Sequence, residues 1–211
     1  MTNFSNKIKI AILGRHQVGK SAITVRYLTK RFIGEYSSAH DFLYKHSVNF
    51  EENHVPVEIE ILDTCSNGCS YDDVIRWADS FLVIYSIVDR DSFHEAEKLL
   101  KKISKLKLPS YYTALMLGNK NDLEHSRTVS VSEAQEVSLN YNCQFLEVSA
   151  AESYSGVQLA FHSLLKETRS SQLHRNLPIR RKLGVNSVSK ALGNIFGKNS
   201  KADRKRPSLS I

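Results

Sequence analysis

The sequence predicts an α/β fold: a mostly parallel six-stranded sheet with one antiparallel strand and helices on both faces. Three observations carry that reading. Apolar runs of strand length alternate with segments of helical spacing from residue 7 to residue 168. Residues 81–87, apolar but for Ser86, and 114–117 are nearly continuous apolar runs, as strands buried on both faces are. Residues 44–50 and 55–62 alternate apolar with polar residues and are close neighbours in the chain, the pattern of paired antiparallel strands.

Each element follows in order. Residues 7–13 form a first strand around Ile-Ala-Ile-Leu-type apolar positions. Residues 20–32 have helical spacing, with Ile23, Tyr27 and Leu28 on one face. The hairpin of 44–50 and 55–62 is expected to turn at Asn53 and His54. The buried run 81–87 precedes a helix over 91–105, whose stripe is Phe93, Ala96, Leu99, Leu100 and Ile103. After the strand 114–117 a helix spans 132–140, with Ser132 as its expected cap and Gln135 three residues on. A short strand at 145–148 and a helix at 156–168 complete the set. Ligands of such a sheet bind where the strands end, so the loops after Leu13, Leu62, Leu117 and Val148 are the functional candidates.

Composition excludes several classes. The chain has 211 residues, 41% hydrophobic and 24% charged, enough for one sizeable core. No apolar run is long enough to span a bilayer, and residues 8–13 are too few for a signal-peptide core. The three cysteines, Cys65, Cys69 and Cys143, are too sparse and odd in number for a disulfide scaffold and suit a reducing compartment. Cys65 and Cys69 lack two further ligands at suitable spacing, so no zinc site is expected. No nucleophile elbow supports a Ser–His–Asp hydrolase. The net charge of +7 is unevenly placed: residues 175–211 hold ten basic residues against one acid, Asp203, which leaves the preceding body slightly acidic. The expected organisation is a short extension (1–6), a domain (7–172) and a basic tail (173–211).

After the first strand comes Gly14-Arg15-His16-Gln17-Val18-Gly19-Lys20-Ser21, with Ala22 behind it, which fits G-x-x-x-x-G-K-[ST]. Gly14 permits the sharp turn, and Gly19 lets backbone approach a phosphate. Successive N–H groups and the following helix terminus cradle anionic oxygens. Lys20 would reach the β and γ phosphates, and Ser21 would offer its hydroxyl to Mg²⁺. A chance match occurs about once in thirty thousand positions, and this one sits between a strand and a helix as the mechanism requires. The expected fold is thus a P-loop NTPase.

The strand 55–62 delivers Asp63, a carboxylate where a P-loop protein holds Mg²⁺ directly or through water. The buried strand 114–117 delivers Gly118-Asn119-Lys120-Asn121-Asp122. A carboxylate at Asp122 can accept two hydrogen bonds from the N1–H and 2-amino edge of guanine, which adenine lacks. Asn119 would tie loops together, and the Lys120 stem would cover one base face. Phe32 could cover the base edge or the other face. Ser149-Ala150-Ala151, after the last strand, could offer a backbone N–H to guanine O6.

These loops in this order resemble the Ras superfamily of small GTPases over roughly residues 7–168. Lys30-Arg31-Phe32-Ile33-Gly34-Glu35-Tyr36 and Arg76-Trp77-Ala78-Asp79-Ser80-Phe81 resemble the branch of the Ras-related and estrogen-regulated growth inhibitor and its -like relative. The resemblance implies binding of GTP and GDP with Mg²⁺, a signalling switch, effector and regulator proteins as partners, and a monomeric cytoplasmic protein that binds no nucleic acid.

The departures from that family pattern carry their own expectations. Ala39 falls where the family has a Thr that meets Mg²⁺ and the γ-phosphate; Ser37 or Ser38 could substitute only if the loop shifts. Ser66 replaces a Gly that contacts the γ-phosphate. Asn67 replaces the Gln that orients the attacking water and is one methylene shorter, so this catalytic position is degenerate while Lys20 is retained. His16 and Gln17 stand where Ras has glycines and would obstruct an arginine finger supplied in trans. Ala151 replaces a lysine of the last base loop. Slow hydrolysis is expected; the alternative is a pseudo-GTPase that binds guanine nucleotide without useful hydrolysis or switching. Pro207-Ser208-Leu209-Ser210-Ile211 offers no cysteine for a prenyl anchor. Leu183, Val185, Val188, Leu192, Ile195 and Phe196 recur near helical spacing among basic residues, so the tail could lie on an anionic membrane; a nuclear address and an inert tail are the alternatives.

Overall fold

A computed structural model describes residues 7–34, 36, 40–50, 53–65, 70–108 and 111–176. The chain divides between Arg175 and Asn176, and the first unit contains the whole sheet. The elements are β1 (Lys7–Leu13), α1 (Lys20–Thr29), β2 (Phe42–Phe50), β3 (Asn53–Asp63), α2 (Tyr71–Trp77), β4 (Ser80–Ser86), α3 (Arg90–Leu106), β5 (Thr113–Asn119), a 3-10 turn (Asn121–Ser126), α4 (Val131–Asn140), β6 (Gln144–Glu147) and α5 (Tyr154–Asn176). The sheet has six strands in the order β2-β3-β1-β4-β5-β6. Only β2 and β3 pair antiparallel; β1 pairs parallel with β3 and β4, and β5 with β4 and β6. The expected fold class is the one observed.

The period-2 alternation of side chains splits the core in two. Ile8, Ile10 and Ile12 of β1, with Leu82 and Ile84 of β4, pack with Ile23 of α1 and Phe161 and Leu164 of α5. Ala11 and Leu13 of β1, with Phe81, Val83 and Tyr85 of β4, pack with Val74 of α2, Phe93 and Leu100 of α3 and Ala134 of α4. β1 and β4 therefore need apolar residues on both faces, which is why 10–13 and 81–85 read as unbroken apolar runs. Burying each such Ile, Leu or Phe is worth roughly 1.5–3 kcal/mol. Tyr27 of α1 stacks on Phe161 of α5 with ring centroids 3.9 Å apart, so helices distant in sequence share one face.

Several boundaries differ from the sequence expectation. Asn53 and His54 are not the hairpin turn: β3 begins at Asn53, which pairs with Phe50. The backbone ladder runs past the last alternating apolar residue, because ladder hydrogen bonds do not depend on side-chain type. α1 stops at Thr29 instead of reaching Phe32, because Lys30 turns left-handed (φ 64°) and its N–H closes on Arg26 O. α4 is capped by Ser130, not Ser132: the Ser130 hydroxyl accepts from the Glu133 N–H, and Glu133 reaches back to Ser130 N. α5 is longer at both ends than residues 156–168. The sequence pattern does not predict α2. The expected tail helix and the departures at Ala39, Ser66 and Asn67 lie outside the described residues, as do Ser37, Ser38 and Cys69. Among the described residues no helix is long and apolar enough to cross a membrane.

Candidate functional site

The chain leaves β1 through two backbone conformations that only glycine takes freely. Gly14 has φ 146°, and a β-carbon there would stand 2.2 Å from Ile84 O on the neighbouring strand. Gly19 has φ 99° and is the residue at which α1 begins. Between them Val18 drops into the core, while Arg15, His16 and Gln17 stay exposed. Arg15 turns away from the loop toward the start of α3, 3.4 Å from Asp89 and 3.2 Å from Asp91.

Lys20 folds back over the loop that precedes it. Its Nζ donates to Gly14 O at 2.8 Å and to Arg15 O at 2.9 Å, and the residue is only 8% exposed. Burial pushes its pKa below the ordinary lysine value, against the opposing pull of Asp63, Cys65 and Asp41. A buried cation held by two carbonyls keeps one further N–H to give.

Asp63 ends β3 opposite this lysine. It is buried, and neither carboxylate oxygen has a hydrogen-bond partner among the described residues. Burial raises its pKa; the nearby Ser21 hydroxyl and the Lys20 cation oppose the shift. The next residue, Thr64, donates its hydroxyl to Ile12 O at 2.7 Å and so locks the end of β3 to β1. Asp41, at the start of β2, accepts the Cys65 N–H at 2.6 Å. His16, Gln17, Lys20, Ser21, Asp63 and Thr64 line one cleft of about 210 Å³, and Tyr36 and His40 line it too. The sequence marks Tyr36 only as the end of the 30–36 stretch, and nothing in the local pattern of His40 or Asp41 marks them as site residues.

A second cluster lies at the ends of β5 and β6. Asn119 donates Nδ2–H to Val18 O at 2.8 Å, and its Oδ1 accepts the Ala150 N–H at 3.1 Å. One buried side chain thus joins the loop after β1 to the loop after β6. Lys120 is left-handed (φ 66°), which starts the 3-10 turn carrying an exposed Asp122. Ser149 is buried and accepts the Glu152 N–H at 3.1 Å; Ala150 is buried and Ala151 exposed. Phe32 is 44% exposed and meets Tyr36 edge to face. The Tyr36 hydroxyl accepts the Ile33 N–H at 2.9 Å.

The two clusters form a frame in which a glycine cradle with a buried lysine is fixed to a carboxylate-bearing turn. Residues 9–170 match the Ras family profile, and the chain belongs to that family. It is 36% identical to the bovine (Bos taurus) Ras-related and estrogen-regulated growth inhibitor-like protein, over 93% of this chain and 99% of the relative. It is 35% identical to the human Ras-related and estrogen-regulated growth inhibitor, over 93% and 98% of the two chains. Zebrafish (Danio rerio) Ras-like protein family member 11B is 36% identical over 76% of this chain and 68% of its own.

Proposed function

We propose that this Ras family protein is a signalling GTPase that binds GTP and GDP with Mg²⁺ and hydrolyses GTP slowly. The observation that carries the proposal is the carboxylate of Asp63, buried and without a hydrogen-bond partner beside Ser21 and Lys20. Such a group is costly unless it pairs with charge or holds a metal. Ser21 and Asp63 are the residues that would hold Mg²⁺, which when bound supplies positive charge to the phosphate oxygens. The loop fits the same ligand, because Gly14 and Gly19, at φ 146° and 99°, form a glycine turn that leads into the N-terminus of α1, an arrangement suited to anionic oxygens.

In this reading Lys20 gives its remaining N–H to the terminal phosphates, and Gly19 and the first turn of α1 give backbone N–H groups. Asn119 holds the phosphate loop and the loop at Ala150 in one frame, so that both grip the same molecule. Asp122 accepts from the N1–H and 2-amino edge of guanine, the Lys120 stem covers the base, and Ala150 or Ala151 offers N–H to O6. Phe32 shields the base from solvent. Asn67 orients water less well than a glutamine, and His16 stands in the path of an arginine finger, so turnover is slow and poorly stimulated. The chain acts as a monomer on effector and regulator proteins in the cytoplasm, and its basic residues 175–211 support contact with anionic membrane.

A second reading is favoured by the sequence itself. Ala39 offers no side-chain oxygen to Mg²⁺, and Ser66 restricts the backbone that follows the γ-phosphate. A protein so altered could bind nucleotide without switching or hydrolysing it. The experiment is affinity for GDP, GTP and ATP with and without Mg²⁺, followed by single-turnover hydrolysis. Tight, Mg²⁺-dependent binding of both guanine nucleotides and a slow but finite turnover are expected. Equal affinity for ATP and GTP would refute the guanine reading, and zero turnover with intact binding selects the pseudo-GTPase. Asp122→Asn should shift preference from GTP toward the xanthine nucleotide, because the donor–acceptor match on the base edge is exchanged.

A further inference from the structure

We infer that Arg127 is a positioning residue for base recognition: its guanidinium clamps the turn that carries Asp122 to the end of β6, and so sets how strictly the site rejects bases lacking a 2-amino group. The inference rests on the guanine reading above.

Arg127 follows directly on the 3-10 turn, and every one of its five N–H groups is placed. Nε donates to Glu124 at 2.8 Å and Nη2 to the same carboxylate at 2.6 Å. Nη1 and Nη2 donate to the two oxygens of Glu147 at 2.8 and 2.7 Å. Nη1 also donates to Val129 O at 2.9 Å. One planar fork therefore makes a bidentate pair with a carboxylate inside the Asp122 turn and another with the last residue of β6. Glu147 is two residues from Ser149 and three from Ala150, so the clamp joins the two loops that read the base. A backbone tie runs beside it: Asn121 N donates to Val148 O at 3.2 Å, and Val148 N to Gly118 O at 2.8 Å.

The clamp is shielded and without slack. The Arg127 and Glu147 side chains are 16% and 14% exposed, so this pair escapes most of the screening that makes surface ion pairs weak. Glu147 is wedged against Tyr85 and Gly118: a β-carbon on Gly118 would stand 2.8 Å from the Tyr85 hydroxyl and 3.0 Å from Glu147 Cγ. Gly118 is the residue before Asn119, so the packing around Glu147 also fixes where the base-reading segment begins. Asp122 itself is exposed, and the placement of its carboxylate depends on how firmly its turn is held. Two parallel hydrogen bonds to a base edge tolerate little displacement, and a loosened turn forfeits selectivity before it forfeits phosphate binding.

The test measures affinity of the full-length chain for GDP and for IDP, whose hypoxanthine lacks the 2-amino group. The proteins are the unmodified chain, Arg127→Met, Arg127→Lys and Glu124→Ala, each with a thermal melt. Arg127→Met should lower the GDP-to-IDP preference by about tenfold, the worth of a charge-assisted contact. Arg127→Lys should not restore it, because one ammonium cannot span two carboxylates. Glu124 lies at the exposed end of the clamp, so Glu124→Ala folds even where Arg127→Met does not, and should lower the preference by about threefold. Variants that bind both nucleotides more weakly by one common factor, or that merely melt earlier with the preference intact, overturn the inference. An unmodified chain with no preference overturns the guanine reading and the inference together; a preference that survives every variant overturns the inference alone.

Discussion

A β-carbon on Gly19 would stand 2.3 Å from Nδ2 of Asn119, the atom that donates to Val18 O. The glycine therefore serves twice: its φ of 99° suits few other residues, and its missing side chain leaves room for the asparagine that joins the two loops.

Gly19→Ala should destabilise the nucleotide-free protein by about 1–3 kcal/mol through backbone strain and displacement of Asn119. It should also weaken GDP binding far more than Asn119→Ala does, because it strains the loop backbone at φ 99° as well as displacing the asparagine. Urea unfolding and GDP titration check both; a Gly19→Ala protein with unchanged midpoint and affinity would contradict the geometry.

Asp63→Asn should move stability and binding in opposite directions. The buried carboxylate has no hydrogen-bond partner among the described residues, and burial raises its pKa, so its charge is a cost to the empty protein. Removing that charge should stabilise the nucleotide-free chain by about 1 kcal/mol. The same change should abolish the dependence of GDP affinity on Mg²⁺. A destabilised variant that still responds to Mg²⁺ would rule this out.

Glu133 gives a pH signature far from the cleft. Arg90, at 2.5 Å, and the backbone and hydroxyl of Ser130 hold its pKa down at about 2, from an ordinary value of 4.5. A depressed folded-state pKa means that its stabilising contribution is complete above 4.5 and is lost as pH falls through about 2. Glu133→Gln should therefore flatten the dependence of the urea midpoint on pH between pH 5 and pH 2, with the deficit largest at neutral pH. Parallel pH curves for the two proteins would show that the capping contact contributes nothing.

The parts of the fold most legible in the sequence are those whose residues face the core on every side. β1 and β4 announce themselves because both faces of the sheet are covered. α2 escaped because only Val74 and Ile75 of its seven residues are buried, too few to show a period. The cap of α4 was ambiguous in a different way: Ser130 with Glu133 and Ser132 with Gln135 are overlapping versions of one pattern. A residue remote in sequence decides between them, since Glu133 also reaches Arg90 at the start of α3. In the candidate site, the glycine cradle and Asn119 are visible because their spacing is local. Arg127 is not, because nothing in the chain around it reveals that Glu147 lies within reach across the sheet.

The start of α1 differs from the starts of the next three helices. Ser70, Asp89 and Ser130 each accept a first-turn N–H at the head of α2, α3 and α4, and each of those helices has an acid in its first turn. α1 has neither: Gly19 provides no side-chain cap and its first turn holds no acid. On the proposed function the phosphates complete this helix end, so the nucleotide is a component of the folded state and not only its cargo. Mass action then governs the protein's lifetime: at a ligand concentration a thousand times the dissociation constant, bound nucleotide adds about 4 kcal/mol of stability. Depletion of guanine nucleotide would then shorten the protein's lifetime as well as silence its signal, because the open, protease-sensitive state becomes more populated.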